Sequence, residues 1–137
     1  MEVNMMGVLA ATVAQFAFGA LWYMPLFGSV WGKMHGFDKL SKKEQDQARS
    51  KMGPWYGAQL LVTAITAFVL AKLIIMLPAE SPYMLAAWVW FAFVFPTQVS
   101  GVIFGGTDEK WIPTKIAIQA FGALGCVLVA AFVLSLF

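Results

Sequence analysis

Four long apolar runs follow one another along the chain, separated by short polar breaks. They cover about residues 3–24, 55–77, 82–104 and 111–136. Each holds about 22–26 residues, or ~33–39 Å of helix, enough to cross a ~30 Å hydrocarbon core with some tilt. Stretches such as "LLVTAITAFVLAKLIIML" do not alternate, which argues against the ten-residue strands of a membrane barrel. Helix satisfies every backbone group where no water is present. The pattern predicts an all-α fold: a four-helix transmembrane bundle, one integral membrane domain over residues 1–137.

The breaks carry turn chemistry. "LPAESP" (Leu77 to Pro82) and "GGTDEK" (Gly105 to Lys110) are tight connections. The longest connection, about residues 25–54, holds most of the charge. Within it, "SKKE" (Ser41 to Glu44) reads as a capping box opening a short polar cytoplasmic helix that ends near Met52. The first run has Glu2 in place of a basic leader and is long for a signal sequence, so it is read as a mature span.

Composition agrees with the pattern. Hydrophobic residues make up 61% and charged residues 12%, against roughly 25% charged in a soluble domain. Lysine and arginine are placed unevenly. Lys33, Lys39, Lys42, Lys43, Arg49, Lys51, Lys110 and Lys115 fall on one side, and only Lys72 on the other. The positive-inside rule puts the long loop in the cytoplasm of a bacterial inner membrane and both termini outside. Trp22, Tyr23, Trp55, Tyr56 and Trp111 fall at the cytoplasmic span ends, where aromatic rings suit the headgroup level. "LWYMP" is therefore expected to anchor the first span, with Pro25 stopping the helix at Met24.

All seven carboxylates lie at span ends or in loops, which disfavours a proton-coupled pump. Each span instead carries one glutamine: Gln15, Gln59, Gln98 and Gln119. Helical spacing puts Gly7, Ala11, Gln15 and Gly19 on one face, and Gln59, Thr63 and Thr66 on another. Gln98, Gly101 and Gly105 make a third, and Lys115, Gln119, Gly122 and Cys126 a fourth. Small residues let helices approach and amides bond across the contact, so all four faces are expected to turn inward. The polar intramembrane cluster is Gln15, Gln59, Thr63, Gln98, Lys115 and Gln119. As packing glue each amide is worth about 0.6 kcal/mol. The alternative is a polar cavity open to the cytoplasm, with Lys115 near its mouth to attract an anion. Pro96 is expected to kink span three.

Other chemistry finds no support. One cysteine, Cys126, and one histidine, His35, make neither a disulfide nor a several-ligand metal site. No nucleotide fingerprint, nucleophile–base pair or cofactor motif is present, so no catalytic residue, metal or cofactor is expected. The net charge of +2 fits topology and not nucleic acid. The expected partners are the lipid bilayer and either further copies of the chain or other membrane subunits. The function read from the sequence is a non-enzymatic oligomer or accessory subunit, with a glutamine-lined channel or transporter as the alternative.

"GALWYMPLFGSVW" resembles the start of a bacterial four-span membrane family known as domain of unknown function 1761. Gly19, Ala20, Leu21, Trp22, Tyr23, Pro25, Leu26, Phe27, Gly28 and Trp31 carry the likeness. "MGPWYGAQLLVTAITAFVLAKLI" is similar to the family's second span. The resemblance implies four spans with a short charged helix after the first. It implies no activity, substrate or cofactor. Members often carry an Asn late in span three, an acidic-Gly-Arg loop, and an Asn and a His in span four. Here those regions read "VSGVIFGGTDEK" and "KIAIQAFGALG". If the Asn and His serve an activity, either this chain lacks it or Gln119 substitutes. The motif exceeds what an anchor needs, so residues 25–31 are expected to form a re-entrant or interfacial turn packing Phe27 and Trp31 on the bundle.

Overall fold

The computed structural model describes residues 1–137. The Asn4 side chain opens the first helix by accepting from the amides of Met6 and Gly7 at 3.0 and 3.3 Å. Helix α1 then runs over Met5–Leu21, and the chain continues as a π turn over Trp22–Leu26. Pro25 sits inside that turn. The expected stop at Met24 is thus corrected. Proline has no N–H to give, and the wider turn accommodates it instead of ending the helix.

Helix α2 (Gly28–Met34) follows at once, where the sequence predicts a re-entrant or interfacial turn. Gly36 ends it with φ +71°, the left-handed geometry that favours glycine after a helix. Helix α3 (Lys42–Ser50) begins at the expected capping box. Ser41 N–H donates to Glu44 Oε2 at 2.8 Å, and Glu44 N–H to Ser41 Oγ at 3.3 Å. Gln45 holds α3 to the preceding turn by donating to the Phe37 carbonyl at 3.1 Å.

Helix α4 covers Gly53–Met76. The third span is α5 (Pro82–Val89), a second π turn (Trp90–Val94) and α6 (Phe95–Phe104). Pro96 lies just after this turn. Where a kink is expected the helix widens into a π turn just before Pro96, and the Thr97 hydroxyl donates to the Phe93 carbonyl at 2.6 Å. Gly106, at φ +76°, turns the chain toward α7 (Ile112–Ser135). The helical stretches Met5–Leu26, Gly53–Met76, Pro82–Phe104 and Glu109–Ser135 are each long and apolar enough to cross a membrane. The protein is an all-α, multi-pass membrane protein.

Helix α7 is the hub and packs against α1, α4, α5 and α6, while α1 also packs along α4. The core is Val8, Ala11, Ala67, Leu70, Ala71, Leu85, Ala86, Val127, Ala130 and Ala131. Six of these ten are alanines, so the backbones can come close. These residues come from the start of α1, the end of α4, the start of α5 and the end of α7. The spans therefore converge at the end away from α3. At the α3 end α4 parts from the others, and residues 53–62 of α4 are all exposed. Only 18 of 137 residues are buried, so most of the apolar surface faces outward, as lipid permits and water does not.

Candidate functional site

The amide of Gln15 is inside the bundle, and its Nε2 has no hydrogen-bond partner. Thr63 is buried on α4. Its hydroxyl donates to the Gln59 carbonyl at 2.7 Å and lies 3.3 Å from Gln59 Nε2. Gln59 itself is exposed, as is Thr66, whose hydroxyl donates to Val62 O at 3.2 Å. Gln98 is half-buried, while Gly101 and Gly105 on its stripe are exposed. Gln119 and Lys115 are half-buried on α7, whose Gly122 is buried.

The expectation that four polar faces turn inward thus holds for α1 and α7 and is corrected for α4 and α6. For Thr66 the reason is local. A threonine hydroxyl that bonds its own helix carbonyl can face outward without leaving a polar group unpaired. Of the six cluster residues, only Gln59 and Thr63 touch through hydrogen bonds. A groove of about 400 Å³ runs along Met52, Trp55, Tyr56, Ala58, Gln59 and Val62. A crevice of about 250 Å³ lies among Thr66, Val69, Leu73, Val89, Val94 and Val127. Each is lined mostly by apolar side chains.

The opening motif does more than anchor. Trp22 is half-buried, and its indole N–H donates to the Ile118 carbonyl of α7 at 2.9 Å. Gly122 makes room for it, since a Cβ there would lie 2.6 Å from Trp22 Nε1. The neighbouring Gly125 does the same for Phe18, at 2.3 Å. Gly19 and Gly28 are half-buried; at Gly28 a Cβ would press on the Tyr23 carbonyl at 3.3 Å. Phe27 packs on Trp22 with centroids 4.7 Å apart, and Trp31 meets Tyr23 edge-on at 4.9 Å. The turn expected to dock Phe27 and Trp31 does so, with α2 as its frame.

Two participants escaped the sequence reading. Trp90 donates its indole N–H to the Ala120 carbonyl at 2.7 Å. Its tryptophan–π-turn setting repeats that of Trp22, a likeness visible only in the fold. His35 lies 80 positions from Lys115, and no spacing rule joins them. Its Nε2 is 3.2 Å from Lys115 Nζ, and its Nδ1 is 2.8 Å from the Trp31 carbonyl. A carbonyl only accepts, so Nδ1 carries the ring proton and Nε2 turns its lone pair to the ammonium. No three His, Cys, Asp or Glu side chains come together.

The pattern of this bundle has a counterpart among known families. The family described as "Protein of unknown function (DUF1761)" matches residues 6–135. The chain belongs to the DUF1761 family. No curated protein and no solved structure matches it. Within this DUF1761 chain, the family-like stretch from Gly19 to Trp31 forms the contact between α1, α2 and α7. The match covers all four spans, including the α7 carbonyls that receive Trp22 and Trp90.

Proposed function

We propose that this protein is a non-enzymatic component of a bacterial inner membrane that works as an assembly of copies of itself. The long loop lies in the cytoplasm and both termini lie outside, following the charge asymmetry. One observation carries the reading. Tyr56, Gln59, Thr63, Ala67 and Leu70 fall on one face of α4 by helical spacing. At the far end this face is core: Thr63, Ala67 and Leu70 are buried. At the α3 end the same face is uncovered, and Tyr56 and Gln59 are exposed. Gln59 sits six residues into α4, about 9 Å along the helix. Its Nε2 reaches Thr63, and its side-chain oxygen Oε1 accepts no hydrogen bond within the chain. A primary amide both donates and accepts, so it is complementary to its own copy across a two-fold axis.

The experiment is a native mass in mild detergent, for the wild type and for Gln59→Leu, with Leu61→Ala as a control on the outward face. A defined homo-oligomer that Gln59→Leu dissociates, with unchanged melting temperature, supports the reading. A monomer, or an oligomer indifferent to Gln59→Leu, overturns it. A stoichiometric second protein makes the chain an accessory subunit.

The exposure of Gln59 also favours a second reading, a small-solute or ion pathway between protomers. Loss of flux from liposomes with Gln59→Leu, while the oligomer persists, distinguishes it.

A further inference from the structure

Lys115 lies in the first turn of α7, and the tilt of helical side chains carries its ammonium toward the α3 end. It is half-buried. The two ion pairs of the chain are Arg49–Asp46 and Lys110–Asp108, and Lys115 belongs to neither. Its neighbours are an imidazole lone pair at 3.2 Å and the Trp31 ring, with centroid 5.7 Å from Nζ. An imidazole nitrogen and an aromatic face attract a cation without neutralising it. Neither consumes all three ammonium donors. The partial positive charge at the start of a 24-residue helix adds to the field here. Trp31, packed on Tyr23, puts the group among the aromatic side chains that mark the membrane edge.

We propose that Lys115, held by His35 and Trp31, is a binding site for a phosphate group at the membrane surface. The ligand is an anionic phosphate, supplied either by a lipid headgroup or by the cytosol. Lys115 gives the charge and at least one N–H. His35 and Trp31 hold the ammonium in place, so that less side-chain freedom is lost when the anion arrives. The cytoplasmic surface of a membrane is rich in anionic lipid, which suits a cation left without a carboxylate. This proposal does not depend on the assembly through α4.

The test counts lipids bound to the protein by native mass spectrometry, after reconstitution in phosphatidylcholine with or without phosphatidylglycerol. The wild type, Lys115→Met, Lys115→Arg and Lys110→Met are compared, each with its melting temperature. Losing a charge-assisted bond should weaken phosphatidylglycerol binding by roughly tenfold or more in Lys115→Met. Lys115→Arg keeps the charge and should retain binding, which separates site loss from misfolding. Lys110→Met should bind as the wild type does. Displacement of the lipid by added inorganic phosphate assigns the site to soluble phosphate, and persistence assigns it to the headgroup. Equal binding in the wild type and Lys115→Met overturns the proposal. Equal losses in Lys110→Met and Lys115→Met also overturn it, because general surface charge would then suffice.

Discussion

Trp22 and Trp90 grip one helix from opposite sides. Their indole N–H groups donate to the carbonyls of Ile118 and Ala120 on α7, at 2.9 and 2.7 Å. Two residues are about 200° apart around a helix, so the two donors approach from different directions. Each tryptophan is the first residue of a π turn. A carbonyl oxygen has a second lone pair, so α7 accepts both bonds without giving up its helical ones. Trp22→Phe and Trp90→Phe keep most of the ring volume and remove the donor. Each should destabilise the protein by about 0.5–1.5 kcal/mol, measured by denaturant unfolding in detergent micelles. If both variants match the wild type, the two bonds are not structural clamps.

Glycines on α7 should respond to alanine in the opposite sense from a glycine on α6. Gly122→Ala would press on Trp22 Nε1 and Gly125→Ala on the Phe18 ring. Overpacking of this kind costs about 1–3 kcal/mol. Gly101 has open space where a Cβ would go, so Gly101→Ala should stabilise by up to ~1 kcal/mol through helix propensity. Thermal melts of the three variants settle the comparison, and a common sign for all three would contradict the packing described.

The buried amide of Gln15 separates glue from burden. Read from sequence, it bonds across the helix contact. In the fold its Nε2 has no partner, and an unsatisfied buried donor costs roughly 1–3 kcal/mol. Gln15→Met, of similar length and apolar, should therefore raise the melting temperature. A drop would mean that the amide bonds an ordered water.

The capping box gives α3 a defined acid response. Hydrogen bonds from the Ser41 amide, and then from its side chain, hold the Glu44 carboxyl below its ordinary value of 4.5. A carboxyl lowered in the folded state stabilises the fold above the unfolded pKa, and this contribution fades as pH falls through the folded one. Amide exchange in residues 42–50 should thus quicken in acid beyond its intrinsic pH dependence. Glu44→Ala should remove that response. An identical pH profile for wild type and variant would show that the box is idle.

The four spans were legible because length and hydropathy are properties of whole segments. The capping box was legible because its two hydrogen bonds join residues three apart. Side-chain direction was not. Thr66 and Gln59 share a plausible inward stripe with Thr63, yet only Thr63 is buried. For Gln59 the pattern fails because α4 has no neighbour at the α3 end; Thr66, further along, faces outward with its hydroxyl bonded to Val62 O. Pro25 misled for a different reason. The rule that proline stops a helix concerns the α geometry, and a π turn lies outside it. The His35–Lys115 contact depends on how α2 lies against α7, which no local pattern encodes.

The two π turns also act as phase shifters. An α turn advances the chain by 3.6 residues, and a π turn holds about one more. Side chains beyond the turn are therefore offset by roughly 100° from the face that an unbroken helix would present. The first turn lets Gln15 and Phe18 on α1 face by one register and Trp31 on α2 by another. The second can likewise set Leu85 and Ala86 independently of Gln98 and Val102. Each turn thereby lets the residues before and after it face in separately set directions.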